Sequence, residues 1–224
     1  MSLRNLAFVL LVATPAYAEL PAHIEIDYEL RRNGSITADI SAVLEQGGGE
    51  YRLVERWHGR GLFALLGRAT RTSLGSVLRH GVRVREFTDE RSGRDTARAW
   101  FDWKSNLLTS RYKGKTRTEA IPPNAQDRIS FLLALALAPA GAKALDVHLV
   151  DGRGTSHHVY DFLRRERVQT PAGEFEALVV GRGSADDERL EMWLADALGR
   201  LPVRMLVVEK NGNRYDQVAV RISR

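Results

Sequence analysis

Two imidazoles and a carboxylate fall where a divalent metal would need them. If Asp151-Gly152-Arg153-Gly154 is a turn, Val150 faces Thr155, His148 lies opposite His157, and Asp146 sits on the same face two residues along. Opposed residues on an antiparallel pair lie about 5 Å apart, close enough for three ligands to share one ion. That face is expected to meet solvent, however, and no partner residue can be named to orient the rings. The spacing is therefore expected to mark a polar surface, and no metal or other cofactor is expected. His158 shares the inward face with Tyr160 and Phe162 and reads as a polar group at the edge of a cavity. With Phe101 and Trp103, these three form the candidate ligand-binding set.

The carboxylates are read structurally. Asp127 lies three residues after Asn124, where the pair is expected to form a reciprocal cap at a helix start. Negative charge in a first turn also suits the helix dipole. Asp102 stands between Phe101 and Trp103, which share a face, so it points to the other face, exposed or paired with an arginine. No Gly-x-Ser-x-Gly elbow, His-Glu-x-x-His pair or phosphate loop occurs. No residue is assigned a catalytic role, and an enzyme ranks behind the non-enzymatic readings.

A third group could do chemistry of a different kind. Leu62-Phe63-Ala64-Leu65-Leu66 is apolar, bracketed by Gly61 and Gly67 and flanked by Arg60 and Arg68. Such a cluster forms either a lid packed across an open end of the fold or a membrane-touching loop. In the second case the apolar tip dips into the headgroup region while both arginines meet anionic lipid.

The elements that carry these residues centre on one helix, expected over 124–138. Ile129, Leu132, Leu133, Ala136 and Leu137 fall on one face, and Phe131, Leu135 and Ala138 on the opposite one. A helix apolar all round is buried on every side. It is too short for a bilayer, which needs about 20 residues. Pro122-Pro123 enforces an extended entry, and Pro139 with Gly141 ends it. Strands surround it. Segments 23–31 and 35–45 join at Asn33-Gly34, a strong hairpin signal, and a third strand follows Gly47-Gly48-Gly49. Further strands are expected at 69–78, 82–88, 97–103, 107–112, 116–121, 144–150, 156–164, 174–181, 190–194, 201–209 and 213–222. Gly114 makes a turn of Lys113-Gly114-Lys115, so Arg111, Lys113, Lys115 and Arg117 are scattered rather than aligned as a phosphate-binding stripe. The fold class is mainly β: a strongly curved antiparallel sheet or incomplete barrel of about ten strands enclosing one buried helix.

Segment 1–18 has the form of a secretory signal peptide. Arg4 precedes an apolar run over 6–13, and Ala16-Tyr17-Ala18 is a small-x-small site, with cleavage expected after Ala18. Residues 19–224 are expected to be one exported, periplasmic domain without a permanent membrane anchor. The sequence contains no cysteine, so neither a lipidation site nor a disulfide framework is expected. Residues 19–224 hold 32 basic and 28 acidic side chains, a charge of +4. Of the 33 basic residues in the whole chain only five are lysine. That skew fits base composition better than phosphate recognition, and the compartment argues against nucleic acid. A mild attraction to anionic envelope surfaces is what the charge supports.

Several short motifs together carry a resemblance. Phe101-Asp102-Trp103, Gln126-Asp127 with Ser130, Asp151-Gly152-Arg153, Thr170-Pro-Ala-Gly173, Trp193-Leu-Ala195 and Leu201-Pro-Val-Arg204 resemble the periplasmic family known as domain of unknown function 3108. The last two also resemble the closing strands of outer-membrane lipoprotein carriers, half-barrels that hold acyl chains on a concave sheet. No activity is established for the domain of unknown function 3108 family, and the leading expectation is an exported, non-enzymatic binder of a hydrophobic envelope component, a lipid or lipidated protein. The alternative is a structural or assembly factor acting through contacts with another envelope protein, and an enzyme of unassigned chemistry comes third.

Overall fold

A computed structural model describes residues 19–183 and 188–224, and of Leu66 the backbone only. The expected signal peptide, 1–18, lies outside the described residues. Among the described residues the architecture is mainly β, with one large sheet, one α-helix and two short 3-10 turns.

The strands are β1 (His23–Arg32), β2 (Ser35–Gly47), β3 (Glu50–Gly59), β4 (Arg68–Leu78), β5 (Gly81–Arg91), β6 (Ala97–Asp102), β7 (Leu107–Tyr112) and β8 (Lys115–Ala120). Then come β9 (Ala125–Asp127), helix α1 (Ser130–Ala136), β10 (Ala144–Val150), β11 (Thr155–Thr170), β12 (Gly173–Arg182), β13 (Arg189–Ala195), β14 (Leu201–Val208) and β15 (Arg214–Ser223). All fifteen belong to one sheet, in the order β8-β7-β6-β5-β4-β3-β2-β1-β15-β14-β13-β12-β11-β10-β9. The sheet is not closed into a barrel. The number is fifteen rather than about ten: each of the fourteen segments expected as strands forms one, and Ala125–Asp127 adds another.

The turn chemistry explains the meander. Asn33 and Gly34 have φ of 48° and 87°, and Lys113 and Gly114 have 50° and 70°. Two successive positive φ values are what a two-residue hairpin turn requires, and Asn and Gly meet them at least cost. The Val150↔Thr155 and His148↔His157 pairings stand as expected from the turn between them.

The helix is shorter than 124–138. Asn124 is left-handed, with φ of 49°. Ala125, Gln126 and Asp127 pair in parallel with His148, Leu149 and Val150. The cap lies three residues later than expected. Asp127 Oδ1 accepts from the N–H groups of Ile129 and Ser130, both at 2.8 Å, while Ser130 Oγ accepts from Asp127 N–H at 2.8 Å. This reciprocal pair does the work assigned to Asn124 and Asp127. Asn124 instead accepts, through its carbonyl, from the His148 N–H.

Both faces of the helix are buried, in two clusters. Ile129, Leu133, Ala136 and Leu137 pack with the β1–β6 side, including Ile24, Leu44, Phe87 and Phe101. Phe131 and Leu135 pack with Val147, Tyr160, Val180, Met192 and Leu194 from β10 to β13. A space of only about 30 Å³ separates α1 from Ile24, Tyr28, Leu44 and Leu53. That is room for about one water, not for an acyl chain.

The far portions of the sheet are clipped together by side chains rather than by a ladder. Arg153 in the β10–β11 turn reaches Asp89 on β5 at 2.9 Å and lies 4.8 Å over the Tyr112 ring on β7. Gly152, with φ of 76°, abuts the Arg98 backbone of β6 so closely that an added Cβ would lie 2.7 Å from its N and O atoms. Gln126 Nε2 donates to the Val82 carbonyl at 3.0 Å. Two of the motifs behind the family resemblance therefore meet at one seam.

Candidate functional site

Between β3 and β4 the chain leaves the sheet in a 3-10 turn, Gly61–Leu66. The flanking glycines permit the excursion: Gly61 and Gly67 have φ of 57° and 80°. Phe63 N–H donates to the Arg60 carbonyl and Gly67 N–H to the Ala64 carbonyl, so the turn closes on itself. Its foot is tight, since a Cβ on Gly59 would overlap the Phe63 carbonyl. Leu62 and Leu65 do not pack as a lid: they are 85% and 87% exposed, while Phe63, at 37%, is more covered. Arg60 is held by Asp39 at 2.6 Å and lies 3.9 Å from Glu29. Arg68 has no ion pair among the described residues.

Behind Phe63 lies a pocket of about 430 Å³. Its apolar wall is Leu30, Ala38, Trp57, Phe63, Ala69 and Tyr215. Its polar wall carries five arginines, Arg32, Arg68, Arg71, Arg91 and Arg94, with Thr37 and Ser92, and no acidic residue among those described lines it. Two carboxylates lie beneath, and of the five arginines they meet only Arg71 and Arg91. Asp89 is fully buried and meets Arg91 at 2.8 Å, Arg153 at 2.9 Å and Arg71 at 4.0 Å. Glu55 meets Arg71 at 3.2 Å and accepts from the Trp57 indole N–H. Burial works against ionisation of Asp89, but the hydrogen bonds and charges of Arg91, Arg71 and Arg153 outweigh it and hold its carboxyl below the ordinary range.

Arg71 and Arg91 owe their inward position to strand alternation, whereas Arg68 has the other parity on β4 and Arg94 lies in the turn after β5. On β4, Ala69, Arg71 and Ser73 occupy successive same-face positions, as do Phe87, Asp89 and Arg91 on β5. Charges on a core face are uncommon and carried the signal that spacing alone concealed. The expected ligand set contains none of these residues. His158 accepts or donates to Ser156 at 2.9 Å and contacts Arg182 at 3.1 Å. Tyr160 stacks on Phe131 of α1 at 5.3 Å, and Phe162 packs in the same cluster. Phe101 and Trp103 stack together at 6.1 Å on β6 and its outlet, where Trp103 N–H donates to the Val84 carbonyl at 2.6 Å. The structure does not bring these five side chains to one site.

His148 and His157 lie ring to ring at 4.7 Å. His157 Nε2 is 2.9 Å from Asp146 Oδ1, and His148 Nδ1 is 2.8 Å from the Pro123 carbonyl. Among the described residues no group of three His, Cys, Asp or Glu side chains is placed to hold a metal ion. Asp102 accepts from the N–H groups of Lys104 and Ser105, an ordinary turn contact that holds its carboxyl below the usual range.

Compared with known families, residues 23–218 match the model described as Protein of unknown function (DUF3108). No curated protein matches the chain.

Proposed function

Since the chain belongs to the DUF3108 family, described as being of unknown function, we propose a role from its own geometry: an exported, non-enzymatic binder of a hydrophobic envelope component. It works at a bilayer surface, through the Gly61–Leu66 tip. The curved sheet acts as an incomplete barrel clasping α1, a rigid body that holds the tip out. Residues 1–18 direct the protein to the periplasm and are removed after Ala18.

One observation supports this reading above others: two leucines, Leu62 and Leu65, stand almost fully exposed on a closed turn beside Arg68. Burying a leucine favours association by about 1.5–3 kcal/mol, and a cation at an anionic surface adds roughly 1. The filled space around α1 favours a surface site over a carrier that holds an acyl chain on its concave face.

Co-sedimentation with phosphatidylglycerol vesicles tests the proposal. Wild-type protein should pellet with them at low salt and much less with phosphatidylcholine vesicles. Leu62→Ser with Leu65→Ser should abolish binding and leave the melting temperature within about a degree, since neither side chain is buried. Wild-type protein that never co-sediments at low salt ends the membrane reading.

A further inference from the structure

We infer that the pocket behind Phe63 is a receptor for a phosphate-bearing headgroup; this rests on the membrane-surface reading of the tip and names the chemistry it would grip. Three features carry the assignment. The first is an excess of positive charge. Five arginines line the pocket, and among the described residues the carboxylates that meet any of them are Asp89 and Glu55, neither of which lines it; Asp89 is shared with Arg153, which also lies 3.7 Å from Asp151. A concave, partly dry site focuses that excess toward an anion.

The second is the state of individual donors. Arg32 and Arg94 have no ion pair among the described residues. The Arg32 guanidinium lies 5.6 Å from the Tyr215 ring centroid, and its Nε is buried without a hydrogen-bond partner. Arg71 Nε is likewise buried without a hydrogen bond, at 4.0 Å from Asp89 Oδ1, while its Nη1 serves Glu55. Asp89 fixes Arg91 through two nitrogens, which pre-orders that side chain before an anion arrives. Planar guanidinium groups held in place are suited to bidentate recognition of phosphate.

The third is shape. A volume of about 430 Å³ is within the range of small-molecule sites. Phe63 belongs both to the pocket wall and to the tip. An amphiphile could thus place its phosphate among the arginines and its apolar stem along Phe63 toward Leu62 and Leu65. A free phosphate compound shares the polar half of this chemistry and lacks the stem.

Isothermal titration of the purified protein at low salt separates the sources. The probes are inorganic pyrophosphate, water-soluble dihexanoyl phosphatidic acid, and dihexanoyl phosphatidylcholine as the control. The phosphatidic acid should bind at least tenfold tighter than the phosphatidylcholine. Arg32→Gln and Arg94→Gln should each weaken it roughly tenfold or more without lowering the melting temperature, and Arg94→Gln, at an exposed turn, keeps the test open should the first variant fold poorly. The Leu62→Ser, Leu65→Ser variant should still bind this probe, so a failure of vesicle binding alone removes the membrane reading and leaves the pocket. Pyrophosphate binding as tightly as the lipid identifies a free phosphate compound as the source. Lipid binding without pyrophosphate binding identifies a membrane amphiphile. If neither anionic probe binds at millimolar concentration, or both arginine variants bind as well as wild type, the pocket is not a phosphate receptor.

Discussion

Asp127 sits fully buried where Ser73, Ser130 and Ile129 all bond to it. Ser73 Oγ donates to Oδ2 at 2.5 Å and in turn accepts from the Tyr51 hydroxyl at 2.9 Å. Burial pushes the carboxyl up to about 6, against the pull of these hydrogen bonds. A raised folded-state value means that the contribution to stability is full below the unfolded value near 4 and is lost as pH rises through about 6. Asp127→Asn keeps an oxygen for the two N–H groups but cannot ionise. It should therefore flatten the decline between pH 4 and 6 and gain up to about 3 kcal/mol at pH 7.5. Melting curves at pH 4.5 and 7.5 check this; an unchanged pH dependence would assign the effect to another group. That Asp127 serves a helix start was legible in the sequence, because capping acts over three residues, but its reciprocal partner is Ser130 and not the expected Asn124. Its partner Ser73 was not legible, being 54 positions away. The same distance problem hid Asp89, whose partner Arg153 lies 64 positions on.

At the scale of elements, hairpins were the most legible, since turn residues and alternation both act locally. The start of α1 was misplaced because Asn124 through Asp127 carry helix-compatible side chains, and tertiary pairing with β10 decides otherwise. The all-round apolar character of the helix did translate into burial: Leu133 has no exposed surface. Leu133→Asp would place an uncompensated charge between α1 and β1–β5, costing several kcal/mol against a typical total of 5–15. We expect no folded protein from this variant. A normal yield with an unchanged melting curve would show that α1 is not enclosed. The Gly61–Leu66 turn was visible as an apolar cluster, but its outward direction depends on the Gly59 backbone lying under Phe63, which no pattern of types reveals.

Across the whole molecule, the seam at Gly152 substitutes side-chain contacts for a closing ladder. Gly152→Ala would force a Cβ against the Arg98 backbone at a positive φ, two costs of about 1–3 kcal/mol together. The melting temperature should fall by several degrees, and amides of β6 should exchange faster with solvent than those of β2. Equal exchange in both strands would show that the turn does not hold the seam.

The pairing of β1 with β15 bears on the time course of folding. Every other antiparallel ladder joins strands that are neighbours along the chain, whereas Glu25 meets Ser223 and Arg32 meets Tyr215. Two stacks of hairpins can thus assemble separately, each by short loop closures. The outer edge of β1 meanwhile waits for almost the entire chain to arrive. Long-range closure of this kind is slow, and an unpaired edge is open to wrong partners while it lasts. The interval between the emergence of the first strand and that of the last is when this protein is most exposed to aggregation, and when a holding chaperone would serve it best.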